Sequence, residues 1–264
     1  MPELSVPAWG LLLAGALLVG IAKTALPGAG TLAVALFAAA LPARESTGAL
    51  LLLLIVGDLF ALAIYRSHAD LRLLRRLVPP VLLGVVAGAV FMAIADDSGV
   101  RRTIGAMLLA LIGLTLVRRW IERRKRARES LTPSEQPAEH PPRPHRPRRG
   151  ATLGYGALGG FTTMVANAAG PVMSLYFLAT TTSVDRFLGT AAWFFFAVNV
   201  AKTPFSVSLG LIDAGTLRLD LLLLPGVVLG AVVGRAIAKR LDFAVFDRLV
   251  VVLTVISAGY LVIA

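Results

Sequence analysis

The 264-residue sequence contains no cysteine and only three histidines. The absence of cysteine excludes disulfide bonds, thiolate metal sites and thiol-based redox chemistry. His140 and His145 lie in a segment rich in proline and arginine, and His68 stands alone among basic residues. No Ser/His/Asp grouping occurs in the apolar segments, so nucleophilic catalysis has no support. We therefore expect no metal site, no cofactor and no enzymatic activity.

Charged residues are also scarce, at 16% of the chain, whereas hydrophobic residues account for 57%. Mean hydropathy is +0.79, and apolar runs recur along almost the whole length. These runs lack the strict alternation of a membrane β-barrel and are rich in Leu, Ala and Val, which predicts helices. The predicted fold class is an all-α polytopic membrane protein. Uninterrupted helices are expected near residues 47–65, 77–95, 103–117, 187–209, 219–237 and 249–263.

The net charge of +11 comes mainly from residues 118–150, which contain 11 Lys and Arg against 4 Glu and six of the 15 prolines. This composition is typical of a solvated, disordered linker. A basic segment beside anionic lipid explains the charge, so nucleic acid is not an expected partner. The predicted organisation is a first membrane repeat at 1–117, a basic Pro-rich cytoplasmic linker at 118–150 and a second membrane repeat at 151–264.

Two polar breaks interrupt the apolar runs, KTALPGAG at residues 23–30 and TTMVANAAGP at 162–171. Proline lacks an N–H and glycine destabilises helix interiors, so an ordinary helix is not expected to continue through either break. The apolar arms beside the breaks are short for the ~20 residues of a perpendicular span. Each half is therefore predicted to begin with an interrupted or re-entrant helical hairpin, at 8–41 and 151–182, followed by three transmembrane helices.

The two halves also align with each other. The offset is 140 near the breaks, 141 in the middle of each half and 146 toward its end. The matched positions are Gly20 with Gly160, Gly30 with Gly170, Gly48 with Gly189, Asp58 with Asn199, Pro79 with Pro225, Gly84 with Gly230, Gly88 with Gly234 and Gly113 with Gly259. This ordered agreement indicates an internal repeat.

Charge assigns sides to the loops once the linker is placed in the cytoplasm. Residues 66–76 and 239–248 then lie inside, and residues 96–102 and 213–220 outside. The arrangement puts 20 Lys and Arg inside against 4 outside, as the positive-inside rule expects. Corresponding loops fall on opposite sides, which predicts two inverted-topology repeats, as in many secondary transporters. The expected location is a bacterial cytoplasmic membrane.

Interrupted segments at corresponding places in two halves are typical of a transporter's binding site. Helices starting after Gly30 and at Pro171 would point their free N–H groups at a shared cavity, which favours an anion. Pro171 suits a first helical position, and Thr162 is a further candidate donor. The predicted substrate-binding residues are Lys23, Thr24, Gly28, Gly30, Thr31, Asp58, Thr163, Asn167, Gly170, Pro171, Asn199 and Lys202.

Ionisable residues inside a membrane are costly and usually functional. Lys202 could supply a positive charge that binds an anionic substrate. Asp58 could be the counter-ion of Lys202 or carry a proton. Lys23 could take either role or extend to the membrane surface. The alternative is a purely structural ion pair. Pro204 predicts a kink beside Lys202, whereas the glycines at 84–113 and 226–234 are expected only to permit close helix packing.

Three segments carry a family resemblance: ANAAGPVMSLYF at 166–177, FAVNVAKTP at 196–204 and GLI at 210–212. In this order they resemble the second-half signature of one branch of the sulfite exporter TauE/SafE-like permeases, in the toluene-sulfonate uptake permease group. The resemblance covers residues 8–117 and 151–263. The first break, PGAG at 27–30, departs from the family's Gly-rich pattern because its proline precedes the glycines. The resemblance implies a permease for sulfur-containing or other small organic anions, without ATP hydrolysis.

The predicted function is a secondary transporter, a permease or exporter, for a small anion such as sulfite or an organosulfonate. Protons are the candidate coupling ion. Two alternatives stay open: an anion channel, and an integral membrane enzyme acting on a phosphate-bearing lipid. The enzyme is disfavoured because the breaks contain Thr, Asn, Lys and Gly but no carboxylate.

Overall fold

The structure, a computed structural model, describes residues 4–26, 30–96, 98–100, 149–181 and 183–240, with isolated positions at 102, 103, 106, 107, 110, 113, 117, 245 and 252. This part of the chain is all-helical and contains no strand, as predicted. Its helices are α1 (Val6–Thr24), α2 (Gly30–Ala40), α3 (Ala43–Tyr65), α4 (Leu71–Ile94), α5 (Arg149–Ala166), α6 (Ala169–Thr180), α7 (Val184–Ser208) and α8 (Ala214–Ala238), with a 3-10 turn at Arg66–His68.

The helices predicted at 47–65, 77–95, 187–209 and 219–237 are confirmed, and each begins several residues before its apolar run. Polar caps explain the earlier starts of α4, α7 and α8, because a capped first turn needs no hydrophobic residues. Asp213, for example, accepts bonds from the Thr216 N–H and hydroxyl at 2.7 and 2.9 Å, and these bonds lower the pKa of the Asp213 carboxyl. The helices predicted at 103–117 and 249–263, and the linker up to residue 148, lie outside the described residues.

Four of the described helices are long and apolar enough to cross a membrane: α1, α3 with its 3-10 turn, α4 and α8. The expectation that both arms of the first hairpin are short is therefore wrong for α1, which has 19 residues, whereas α2 has 11. The helix α1 extends beyond its apolar run at both ends. Ser5 caps it ahead of Pro7, and Lys23 and Thr24 continue its last turn.

The helices α1 and α8 pack closely along their length. A Cβ added at Gly20 would meet the backbone of Gly230, and one at Gly234 would meet Ile21. The contact positions rise together along both helices, so α1 and α8 are parallel. Glycine is needed at these points because only its hydrogen leaves room for a neighbouring backbone.

The helices α4 and α5 form a second pair of the same kind. A Cβ at Gly84 would meet the backbone of Ala157, and one at Gly88 would meet the side chain of Met164. These contacts also rise together, so α4 and α5 are parallel. The glycines at 84, 88, 230 and 234 therefore permit close helix packing, as predicted.

The helices α3 and α7 contact each other and link the two pairs, because α3 packs against α1 and α8 while α7 packs against α4. The short helices follow the breaks: α2 packs on α1 and α3, and α6 packs on α5 and α7. This arrangement brings both breaks beside the contact between α3 and α7.

Candidate functional site

A cavity lies where the two breaks meet α3 and α7. Its volume is about 30 Å³, which is room for a few water molecules. Eight of the twelve predicted binding residues line it. The full lining is Ala22, Lys23, Gly30, Thr31, Leu54, Asp58, Thr163, Asn167, Gly170, Ala191, Ala192, Phe195 and Asn199.

Asp58 is fully buried and both of its carboxylate oxygens are engaged. Lys23 Nζ lies 2.7 Å from Oδ1, and Asn199 Nδ2 donates to Oδ2 at 2.7 Å. The ring of Phe195 covers the same ammonium at 4.5 Å from its centroid, a favourable cation–π arrangement. Asp58 is therefore the counter-ion of Lys23. This corrects the expectation that Asp58 is the counter-ion of Lys202. Lys23 turns inward and does not extend to a surface.

Lys202 lies behind the cavity wall, with 1% of its surface exposed. Its ammonium donates to the Thr163 carbonyl at 2.7 Å, to the Thr163 hydroxyl at 3.1 Å and to Asn167 Oδ1. Because an ammonium has three donors, this set satisfies it. Lys202 thus holds two residues that line the cavity, and it is not itself part of the lining in this conformation.

The charges of Lys23, Asp58 and Lys202 do not balance. Within the described ranges, Lys23 and Asp58 form a salt bridge, and no carboxylate lies within salt-bridge distance of Lys202. Two lysines and one aspartate therefore leave one positive charge in excess beside the cavity when all three are ionised. An excess positive charge in a buried site favours an anionic ligand.

The second break is held in a turn by the residue at its centre. Asn167 has φ of +53°, and among the described residues it is the one non-glycine position with positive φ. Asparagine tolerates this left-handed conformation better than most residues. The side-chain Nδ2 of Asn167 also donates to the Thr47 carbonyl at 2.8 Å, and its Oδ1 accepts a hydrogen bond from the Lys202 ammonium. Bonds from α3 and α7 therefore fix this turn from both sides.

The first turns of α2 and α6 both reach the cavity, through Gly30 and Thr31 of α2 and Gly170 of α6. The first four N–H groups of a helix have no acceptor within that helix. The start of α6 corrects one expectation: the helix begins at Ala169, so Pro171 occupies its third position and not its first. Proline is tolerated there because that N–H would make no intrahelical bond. Gly28 lies outside the described residues.

Two predicted threonine donors point elsewhere. Thr24 Oγ1 donates to the carbonyls of Gly20 and Ala231 at 2.9 and 3.1 Å, and so fastens α1 to α8. Thr162 Oγ1 donates back into α5, to the Leu158 carbonyl at 2.8 Å. Neither hydroxyl is directed into the cavity.

Five lining residues were not predicted from the sequence: Ala22, Leu54, Ala191, Ala192 and Phe195. Phe195 precedes Asn199 by four positions and Lys202 by seven, which places all three on one face of α7. That spacing was the available signal. The alanines and Leu54 carry no signal, because small and apolar residues occur everywhere in membrane helices. Pro204 lies within α7, which continues to Ser208, and the kink stays a prediction.

The lining offers a paired ammonium, helix N-termini, hydroxyls and amides, which together suit a small oxyanion. Among the described residues no group of three His, Cys, Asp or Glu side chains could hold a metal ion. The family model for sulfite exporter TauE/SafE matches residues 12–261, a range that contains both breaks and reaches beyond α8. Searches of curated proteins and of solved structures found no match to the chain.

Proposed function

The chain belongs to the sulfite exporter TauE/SafE family, and we propose that it is a secondary transporter for a small sulfur-containing oxyanion such as sulfite or an organosulfonate. The family and the four apolar helices make it a multi-pass membrane permease or exporter. The observation that supports an anionic substrate is the cavity lined by Lys23 and by the first turns of two helices. The proposed location is a bacterial cytoplasmic membrane.

In the proposed mechanism, the substrate competes with Asp58 for Lys23. An oxyanion entering the cavity would accept hydrogen bonds from the ammonium and from the N–H groups that begin α2 and α6. Lys202 would keep Thr163 and Asn167 in place, and its charge would offset part of the cost of burying an anion. Binding would weaken the 2.7 Å pair between Lys23 and Asp58, which links occupancy of the site to the packing of α1 against α3.

Helix packing supports the proposal that the two membrane repeats, 1–117 and 151–264, are inverted copies. Gly20 lies against Val227 in one parallel pair, and Gly160 lies against Val81 in the other. The partners in these contacts differ by the offsets of 140 and 146 that align the two halves. Asp58 and Asn199, which also align, contact each other, as matched residues near a two-fold axis must.

The parallel pairs also agree with the proposed sidedness. A cytoplasmic linker at 118–150 would start α5 inside and direct it outward, and α4 is parallel to α5. An external start for α8 would direct it inward, and α1 is parallel to α8. Inverted repeats around one central site are the usual framework for alternating access, and we extend that mechanism to this chain.

The test is transport in proteoliposomes that contain the full chain. Uptake of sulfite, sulfate, thiosulfate and a short sulfonate would be measured with and without a pH gradient, for the parent and for Lys23→Met, Lys202→Ala and Asn167→Ala. Saturable uptake of one anion that falls in all three variants is expected. Non-saturable flux would indicate a channel, and no flux of any sulfur anion would remove the substrate class. Flux unchanged in all three variants would place the site elsewhere.

A further inference from the structure

Asp220 is a buried carboxylate that belongs to no part of the cavity. It lies in the second turn of α8 and is 5% exposed. Both of its oxygens lack a hydrogen-bond partner within the described ranges. Asp58, the other buried carboxylate described, has Lys23 and Asn199 on its two oxygens. The two acids therefore occupy opposite environments.

The buried residues beside Asp220 on α8 are apolar. Leu219, Leu223 and Val227 of α8 belong to a buried cluster with residues of α1, α2 and α3. Charged groups on the helices packed against α8 are used elsewhere or exposed. Lys23 pairs with Asp58, Arg44 donates to the Met92 and Ala95 carbonyls, and Glu45, Asp213, Arg218 and Arg235 are exposed.

The fold itself does not require a carboxylate at this place. The offset of 146 that aligns Gly84 with Gly230 aligns Leu74 with Asp220. Leu74 lies on α4, is partly buried and packs against a buried cluster that includes Leu77 and Val81. A leucine thus fills the corresponding position in the first half, where the helix pair is built in the same way.

Burying an ionised carboxylate without a partner costs several kcal/mol, and such a group takes up a proton instead. A carboxylic acid is neutral and can remain in an apolar cluster. Asp58 needs no proton for this purpose, because an ammonium and an amide already stabilise its charged form. Of the two acids, Asp220 is therefore the one suited to bind and release a proton.

We propose that Asp220 is a proton-binding site, neutral in the conformation described, that releases its proton to water when α8 shifts against α1 and α3. In a coupled cycle, the carboxyl O–H bond breaks on the side where the proton concentration is low, and water there accepts the proton. A proton from water on the other side then re-forms the O–H bond. The coupling part of this proposal rests on the proposed transport function. It assigns the proton-carrying role to Asp220 and not to Asp58.

The first experiment tests proton binding without any substrate. Infrared spectra of the reconstituted full chain would be recorded across pH for the parent, Asp220→Asn and the matched control Asp58→Asn. A protonated-carboxyl band is expected at neutral pH in the parent and in Asp58→Asn, and it should be absent from Asp220→Asn. A parent without that band, or a band that persists in Asp220→Asn, overturns the proposal. Asp220→Glu should keep a shifted band, which provides a second variant if Asn prevents folding.

The second experiment tests coupling. The ratio of anion uptake with a pH gradient to uptake without one would be compared for the parent and Asp220→Leu, which copies the leucine at 74. The ratio is expected to fall to about one in the variant. A ratio equal to the parent's, above one, would overturn the coupling role. If the parent transports no sulfur anion, the proposed function fails, and the infrared titration still decides whether Asp220 binds a proton.

Discussion

Asn199 donates a 2.7 Å hydrogen bond to Asp58, and these two residues occupy matched positions in the two halves of the chain, 141 residues apart. The halves therefore meet at this bond. Lys23 is paired with Asp58, and Lys202 is bonded to the second break. The site is therefore asymmetric in charge, although Asp58 and Asn199 align in the sequence.

Asp58→Asn should destabilise the protein, because Lys23 would keep a buried charge without its counter-ion. Breaking a buried ion pair from one side costs roughly 3–5 kcal/mol. Thermal unfolding in detergent would measure the loss, and a Lys23→Met/Asp58→Leu double variant should recover part of it. The dependence of anion flux on a pH gradient should persist in Asp58→Asn where flux is measurable. Loss of that dependence would return the proton-carrying role to Asp58.

Lys23 and Lys202 should have separable effects on transport. Lys23 lines the cavity, so Lys23→Met should raise the KM for the anion by about 10- to 100-fold, the value of one hydrogen bond to a charged group. Lys202 lies behind the wall, so Lys202→Met should chiefly lower the maximal rate. Both variants should lower the Tm, because Lys23→Met leaves Asp58 without its counter-ion. Concentration series in proteoliposomes would separate the two parameters. A larger KM effect at Lys202 than at Lys23 would contradict the arrangement described.

Two substitutions at Asn167 separate its backbone from its side chain. Asn167→Gly keeps the positive φ and loses the bonds to Thr47 and Lys202, whereas Asn167→Ala loses the bonds and also strains the turn. The free energy of unfolding of Asn167→Ala should therefore be about 1–2 kcal/mol lower than that of Asn167→Gly. The comparison is made by thermal unfolding. Equal stability of the two variants would mean that the turn relaxes when its side-chain bonds are removed.

Close helix packing predicts where an extra methyl group is tolerated. At Gly84 and Gly230 a Cβ would collide with the carbonyl groups of Ala157 and Leu17, so Gly84→Ala and Gly230→Ala should each cost about 1–3 kcal/mol. Gly10→Ala and Gly154→Ala are the matched controls, since a Cβ there meets nothing within 4 Å. Unfolding temperatures of the four variants test the contrast. A stable Gly230→Ala would argue against the described pairing of α1 with α8.

The absence of cysteine makes sidedness directly measurable. Single cysteines at Ser67 and Ala214, both exposed, would report the loops that follow α3 and precede α8. Inverted repeats predict that a membrane-impermeant thiol reagent labels Ala214→Cys in intact cells and Ser67→Cys only after lysis. The cysteine-free parent is the background control. Labelling of both from the same side would rule out the inverted arrangement.

The sequence predicted helices from long apolar runs and located the breaks from proline, glycine and polar residues. Helix starts were placed late, because capping residues such as Asp213 add turns that hydropathy does not detect. Eight of the thirteen lining residues were predicted, and five of these lie within the breaks. The partner of Asp58 did not follow, since Lys23 and Lys202 were equally plausible until the turn at Asn167 showed that Lys202 was already bonded. A contact between Lys23 and Phe195 depends on helix rotation, which residue spacing does not fix.

The pairing of α1 with α8 has a consequence for biosynthesis. Some 190 residues separate the end of α1 from the start of α8, which corresponds to roughly 10–40 s of translation at typical rates. During that interval the first helix leaves the ribosome with its glycine face uncovered and its principal partner not yet made. The nascent chain must therefore keep α1 accessible in the membrane until synthesis is nearly finished, and a truncated first half would retain this uncovered face.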